Sequence, residues 1–175
     1  MNSALNARLK KIKLLVMDVD GVLTDGKIVV DARGKELKFF DVQDGFGLVL
    51  LRQAGIKTAI LSARSSPAVT ARAEDLKIDK ICQDAYPKTS VYERLLHELN
   101  CADEQVCFMG DDLPDLPVLK RVGFAVAVPN AVAELKKTAH YVTAQRGGAG
   151  AVREVVELIL KAQGKWKNIV AQMEK

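Results

Sequence analysis

Along the chain, short unbroken apolar runs alternate with longer segments whose apolar residues recur every three or four positions. Runs at residues 14–17 (LLVM), 57–61 (KTAIL), 80–82 (KIC), 106–109 (VCFM) and 124–128 (FAVAV) have strand length. None alternates polar with apolar, which is the pattern of strands covered on both faces. Helical periodicity fills the intervals: residues 46–54 before Gly55, 67–76 behind Pro67, 89–99, 116–122 before Gly123, and 149–161. Proline is a favoured first helical residue, and glycine a common stop. The last segment is the clearest, with Val152, Val155, Val156, Ile159 and Leu160 along one side. Leu5, Leu9 and Ile12 predict one further short amphipathic helix.

This alternation predicts a three-layer α/β fold, a Rossmann-like parallel sheet with helices on both faces. One segment breaks the rhythm. Ile28, Val29 and Val30 and then residues 37–40 flank Asp31-Ala32-Arg33-Gly34, which reads as an inserted β-hairpin with its turn at residues 32–34. The hairpin, about residues 26–41, would be a flap on a single domain spanning residues 1–175. Residues 162–175, with Trp166, read as a peripheral and frayed tail. No internal repeat, low-complexity stretch or linker interrupts the chain.

Composition narrows the class. At 175 residues, 49% hydrophobic and 27% charged, the chain can bury a core without disulfides. No apolar run approaches the roughly 20 residues that span a bilayer, and residues 1–13 lack the apolar stretch of a secretory signal. The three cysteines, Cys82, Cys101 and Cys107, have no metal-ligand spacing and suit a reducing, cytoplasmic setting. A net charge of +4, evenly spread, and few aromatics give no footprint for nucleic acid. His97 and His140 read as surface or packing residues.

Chemistry in parallel α/β sheets collects at the carboxyl ends of the strands. Asp18-Val19-Asp20-Gly21 follows the first strand, so two carboxylates reach one metal or one substrate. An isolated acid pair also serves as a cap or turn former. Three later features favour chemistry. Ser62 closes the second strand, where its hydroxyl and nearby backbone N–H groups at a helix entrance could hold phosphate oxygens. Lys88 opens a helix beside Pro87 and supplies a cation. Gly110-Asp111-Asp112-Leu113-Pro114-Asp115 ends another strand. Five acids at one sheet edge repel one another, and a hard divalent cation such as magnesium relieves that repulsion.

DVDGVLTDG, LSAR, Lys88 and GDDLPD, in that order, resemble the haloacid dehalogenase superfamily of phosphotransferases across nearly the whole chain. A narrower likeness lies in FFDVQDGFG, MGDDLPDLPVL and RGGAGAVREV, which are similar to 3-deoxy-D-manno-octulosonate 8-phosphate phosphatases, enzymes of lipopolysaccharide biosynthesis. The resemblance implies a magnesium-dependent phosphatase. Asp18 would be the nucleophile that becomes an aspartyl phosphate, and Asp20 the general acid and then base. Asp18, the Asp20 carbonyl and Asp111 would hold magnesium. Ser62, the Ala63 backbone and Lys88 would bind the phosphoryl group, and Asp112 and Asp115 would orient the metal's waters or Lys88. For the sugar acid, the resemblance implies the Asp41–Asp44–Gly45 loop, Arg64 and Arg72, although Arg72 equally fits a solvated helix face. Ala63 stands where glycine is common, and Phe46 where tyrosine is usual.

The intervals between motifs hold no room for a cap domain, and a lone hairpin would expose Ile28, Val29, Val30, Phe39 and Phe40. A homotetramer, in which hairpins pack together and close neighbouring sites, is the expectation that the resemblance supports. Residues 147–150 (GGAG) either let backbone approach a ligand or form a plain loop. Two other readings stay open: a phosphatase of a nine-carbon sialic-acid-type phosphate, and a phospho-acceptor receiver domain.

Overall fold

The computed structural model describes residues 3–174; Met1, Asn2 and Lys175, which the expected domain and tail include, lie outside them. Six parallel strands form the main sheet: β1 (Leu14–Met17), β4 (Lys57–Leu61), β5 (Lys80–Cys82), β6 (Val106–Gly110), β7 (Phe124–Ala127) and β8 (Tyr141–Val142). The spatial order is β5-β4-β1-β6-β7-β8. All four side chains of β1 are buried, as the unbroken apolar run requires. Leu14 is in register with Lys57 on one side and Val106 on the other, which brings the ends of β1, β4 and β6 to one edge.

Eight helices accompany the sheet among the described residues: α1 (Ser3–Lys10), α2 (Val42–Gln53), α3 (Pro67–Asp75), α4 (Lys88–Leu99), α5 (Leu116–Leu119), α6 (Ala133–Thr138), α7 (Ala151–Ala162) and α8 (Trp166–Met173). The helices α1, α2, α7 and α8 pack on one another, and α4, α5 and α6 form a second group, so both faces of the sheet are covered. Every residue of the apolar side of α7 (Val152, Val155, Val156, Ile159, Leu160) is 0% exposed. Each such burial stabilises the fold by roughly 1.5–3 kcal/mol.

Several boundaries differ from expectation for identifiable reasons. Helix α2 starts at Val42 instead of residue 46, because Asp41 is its N-cap and accepts from the amides of Gln43 (2.7 Å) and Asp44 (3.0 Å). The tail is not frayed over 166–173: Trp166 and Ile169 of α8 pack against the core, and the Arg153 guanidinium lies 5.5 Å from the Trp166 ring. The short strand β8 and helix α6 carry too few residues to show a period in the sequence.

The hairpin is smaller than expected. Its strands are β2 (Val29–Val30) and β3 (Glu36–Leu37), with Val29 opposite Leu37 and Val30 opposite Glu36. The turn is held by Asp31, whose Oδ1 accepts from Arg33 N and Lys35 N, both at 2.8 Å. Phe40 turns toward the core, while Phe39 (71%), Val42 (78%) and Val30 (59%) remain exposed.

Candidate active site

The site is built from the last residues of β1, β4 and β6. Asp18 follows β1 directly, is 8% exposed, and its amide donates to Met109 O of β6 at 3.0 Å. From the first turn of α4, the buried Lys88 places Nζ 2.9 Å from Asp18 Oδ1 and 2.5 Å from Asp115 Oδ1. The other Asp115 oxygen accepts from the amides of Asp111 (2.9 Å) and Asp112 (3.3 Å). Asp115 therefore braces both the lysine and the loop that carries Asp111. Ser62 is buried just past β4, and its hydroxyl oxygen accepts from Arg64 N at 3.3 Å.

Two glycines make room for the carboxylates. A Cβ on Gly21 would stand 2.0 Å from Asp111 Oδ2, and Gly21 has φ +89°, so a side chain there is excluded twice over. A Cβ on Gly110 would meet the Asp115 carboxylate at 2.6 Å.

Carboxylate oxygens of Asp18, Asp111 and Asp115 all lie within 4.8 Å of one another. Burial, then the charges of Asp18, Asp115 and Asp112, push Asp111 up to about 8. Burial and the Asp115 charge push Asp18 up to about 6 against the opposing pull of Lys88. Burial alone would lower the pKa of Lys88, but the Asp18 and Asp115 charges win and raise it. A divalent cation reverses the sign of this field, and the oxygen donors present are those a hard cation takes. Asp18 and Asp111 have oxygens free for it; both Asp115 oxygens are already engaged.

Asp18, Asp20, Ser62, Ala63, Arg64, Lys88, Asp111, Asp112 and Asp115 line one cleft of about 220 Å³. Positive φ at non-glycine positions is confined, among the described residues, to Lys77, Asp84 and Asn100, so Ala63 loses nothing by not being glycine. The other expected residues are placed as follows. Helix α3 opens at Pro67, as the proline signals, and Ser62 to Arg64 lie in the segment that leads into it. Asp112 caps the next turn by accepting from Leu113 N (2.8 Å) and does not touch Lys88. Asp41, Asp44, Gly45 and Arg72 do not line the cleft; they surround a separate small apolar depression with Phe40 and Leu23. There Asp41 caps α2, and Asp44 accepts from Gly150 N (3.3 Å) and Arg153 N (2.7 Å) at the start of α7. Arg72 pairs with Asp75 at 2.7 Å across Gly45.

Sequence reasoning missed several neighbours of the site. Lys38, beside the hairpin, places Nζ 2.5 Å from Asp20 Oδ1 and 3.0 Å from Glu36 Oε1. Arg64 pairs with Glu36 and stands 3.6 Å from Asp20 Oδ2. Gly147 and Gly148 pack closely on the backbone of Gly21, Thr24 and Asp25. A Cβ on Gly147 would overlap Gly21 O at 1.7 Å, Gly148 N donates to Val22 O (3.0 Å), and Asn130 ties Gly147 N to Gly21 O. The EL-K spacing and the lone Asn130 carry no signal that could have placed them.

Known proteins share this arrangement. Residues 78–155 match the family model described as haloacid dehalogenase-like hydrolase. The 3-deoxy-D-manno-octulosonate 8-phosphate phosphatase of Yersinia pestis is 46% identical, with 90% of this chain and 84% of that protein covered. The protein of the same name from Escherichia coli K12 is 44% identical over 91% of this chain and 85% of its own length. Among solved structures, that of the Moraxella catarrhalis 3-deoxy-D-manno-octulosonate 8-phosphate phosphatase, in complex with magnesium, phosphate and KDO, superposes with a TM-score of 0.96. It is 42% identical and covers 99% of both chains. With such identity over most of each relative's length, the chain belongs to the 3-deoxy-D-manno-octulosonate 8-phosphate phosphatase family of haloacid dehalogenase-like hydrolases.

Proposed function

We propose that this protein is a magnesium-dependent phosphoric monoester hydrolase that converts 3-deoxy-D-manno-octulosonate 8-phosphate to the free sugar acid and phosphate. The observation that carries the reading is the cluster of Asp18, Asp111 and Asp115, with Lys88 bridging Asp18 and Asp115, matched to a family whose members have this substrate in their names. The reaction belongs to lipopolysaccharide biosynthesis.

Magnesium, when bound by Asp18, the Asp20 carbonyl and Asp111, supplies the charge neutralisation that lets an anionic carboxylate meet an anionic phosphate. The chain does the rest. Lys88, the Ser62 hydroxyl and the Ala63 amide hold the phosphoryl oxygens. An Asp18 oxygen attacks phosphorus, and the bond to the sugar oxygen breaks with its electron pair remaining on that oxygen. Asp20 gives the leaving oxygen a proton. Asp20 then takes a proton from water, the water oxygen attacks phosphorus, and the bond to Asp18 breaks, releasing phosphate and the free carboxylate. Asp115 fixes Lys88 and the Asp111 loop throughout.

The cleft is open on one side, and water must be restricted there for the transfer to favour the intended acceptor. The exposed apolar residues of the flap support a homotetramer in which flaps pack together and close neighbouring sites. Free cysteines throughout support a cytoplasmic setting. No helix among the described residues is long and apolar enough to cross a membrane. The separate depression that holds Arg72 lies outside the cleft, so Arg64 is the sugar-acid contact that the geometry favours.

Phosphate release from a panel of sugar phosphates, with magnesium and with chelator, tests the reading. The expected result is metal-dependent turnover, fastest on the octulosonate phosphate. Fastest turnover on a nine-carbon sugar-acid phosphate would reassign the substrate, and turnover indifferent to chelator would remove the metal.

A further inference from the structure

We infer that Lys38 is a positioning residue for the acid–base step: it anchors one oxygen of Asp20 so that the other is presented to the leaving group. The inference rests on the proposed role of Asp20. Lys38 follows β3, outside every motif that marks the site, yet its side chain is only 2% exposed. A lysine so covered needs an acceptor, and it has one in Asp20 Oδ1 at 2.5 Å, with Glu36 Oε1 as a second ion-pair partner at 3.0 Å. The Asp20 carboxylate is otherwise weakly held. Asp20 lies beyond β1, and no described backbone amide donates to either of its oxygens.

Its second oxygen faces Arg64 at 3.6 Å, too long for a hydrogen bond, and the Arg64 side chain is half exposed. Arg64 is in turn tied to Glu36. The result is a square of two cations and two carboxylates in which one contact to Asp20 is tight and buried and the other is loose and exposed. Oδ1 is the fixed corner. Oδ2 is the oxygen that a substrate can reach when its own anionic group draws Arg64 away. An acid poorly placed by even a small rotation loses much of its effect, because proton transfer needs hydrogen-bond reach.

The consequence depends on the leaving group. A sugar alkoxide must be protonated as the phosphorus–oxygen bond breaks, whereas p-nitrophenolate leaves without a proton. In Lys38→Met, the single-turnover rate of leaving-group release, which precedes the water step common to both esters, is expected to fall about 30-fold or more for the sugar phosphate and less than about 3-fold for p-nitrophenyl phosphate, with little change in KM. Lys38→Arg, which keeps a buried cation beside Asp20, is expected to restore most of the difference. Asp20→Asn is run alongside and should show the same leaving-group dependence, more strongly. Equal losses on both substrates in Lys38→Met and Lys38→Arg, or a change confined to KM, would overturn the role of Lys38. If Asp20→Asn slows leaving-group release equally for both esters, the assignment of Asp20 as the acid falls instead. A wild-type protein that hydrolyses neither ester would refute the proposed function and not this inference alone.

Discussion

The carboxyl edge of the sheet and the hairpin flap contribute to the same cleft by opposite means. At the edge, Asp18, Lys88 and Asp115 are buried, mutually bonded and backed by strands with no exposed residues. In the flap, two strands of two residues each carry Val30 and Leu37 to solvent, and two contacts, Lys38 to Asp20 and Glu36 to Arg64, join it to the site. The proposed nucleophile and phosphate grip thus sit on elements that cannot move without breaking the core. The proposed acid–base residue, Asp20, is contacted by an element that packing constrains far less. A two-stranded hairpin is marginal by itself in water, so the flap's order must come from what it touches.

Perturbations can be aimed at each side of this contrast. The largest effect is expected from Asp18→Asn, which keeps the shape of the edge but removes the nucleophile. Turnover should fall by about 10^4-fold or more with the fold retained, as measured by phosphate release and circular dichroism. Gly21→Ala forces a methyl onto the Asp111 carboxylate at a left-handed backbone position. Magnesium affinity, followed by calorimetric titration, should weaken by about 10- to 100-fold.

The pH dependence of the metal-free protein comes next. Asp111 at about 8, and Asp18 and Asp44 at about 6, stand above the ordinary 3.8. The folded chain therefore keeps protons that the unfolded chain has released, so these groups stabilise the fold at low pH and that contribution is lost as pH rises through 6 and then 8. Melting temperature without metal should decline between about pH 5 and pH 9, and magnesium should flatten the slope by favouring ionised Asp18 and Asp111. A metal-free profile that rises over this range would contradict the electrostatics of the edge.

Asp44→Ala is a control outside both regions, where α2 meets α7, since it removes the acceptor for Gly150 N and Arg153 N at the start of α7. Loss of about 2 kcal/mol in denaturant unfolding is expected, with the cleft residues untouched. The smallest effect on stability belongs to Phe39→Asp on the flap, within about 0.5 kcal/mol, because the side chain is already solvated. Light scattering should nonetheless show assembly disrupted if flaps pack together, and an unchanged active tetramer would sink that idea.

The two regions also differed in how far the sequence exposed them. Strands buried on both faces announce themselves as unbroken apolar runs, so β1, β4 and β5 match their expected limits, and α7 was visible from its one-sided period. The cleft residues followed from motifs at strand ends. What stayed hidden depends on partners far along the chain. Lys38 in the sequence is one of many lysines, and only its fold-dependent meeting with Asp20 distinguishes it. Asp41 and Asp44 entered only through the family resemblance, and that gave no sign that their oxygens also hold orphan amides at two helix starts. Family membership also removes the receiver-domain reading, which an acidic pocket with a serine and a lysine had suggested.

The place of β1 between β4 and β6 bears on how the protein is made. Its first sheet partner, β4, leaves the ribosome soon after it, but β6 and the Asp111 loop come much later. Until that strand docks, Asp18 lacks the backbone acceptor at Met109 and the neighbouring Asp111 carboxylate. A nascent chain that ends short of β6 therefore leaves β1 with an open edge. The acidic cluster is assembled only in the later part of synthesis, after the strand that fills the centre of the sheet.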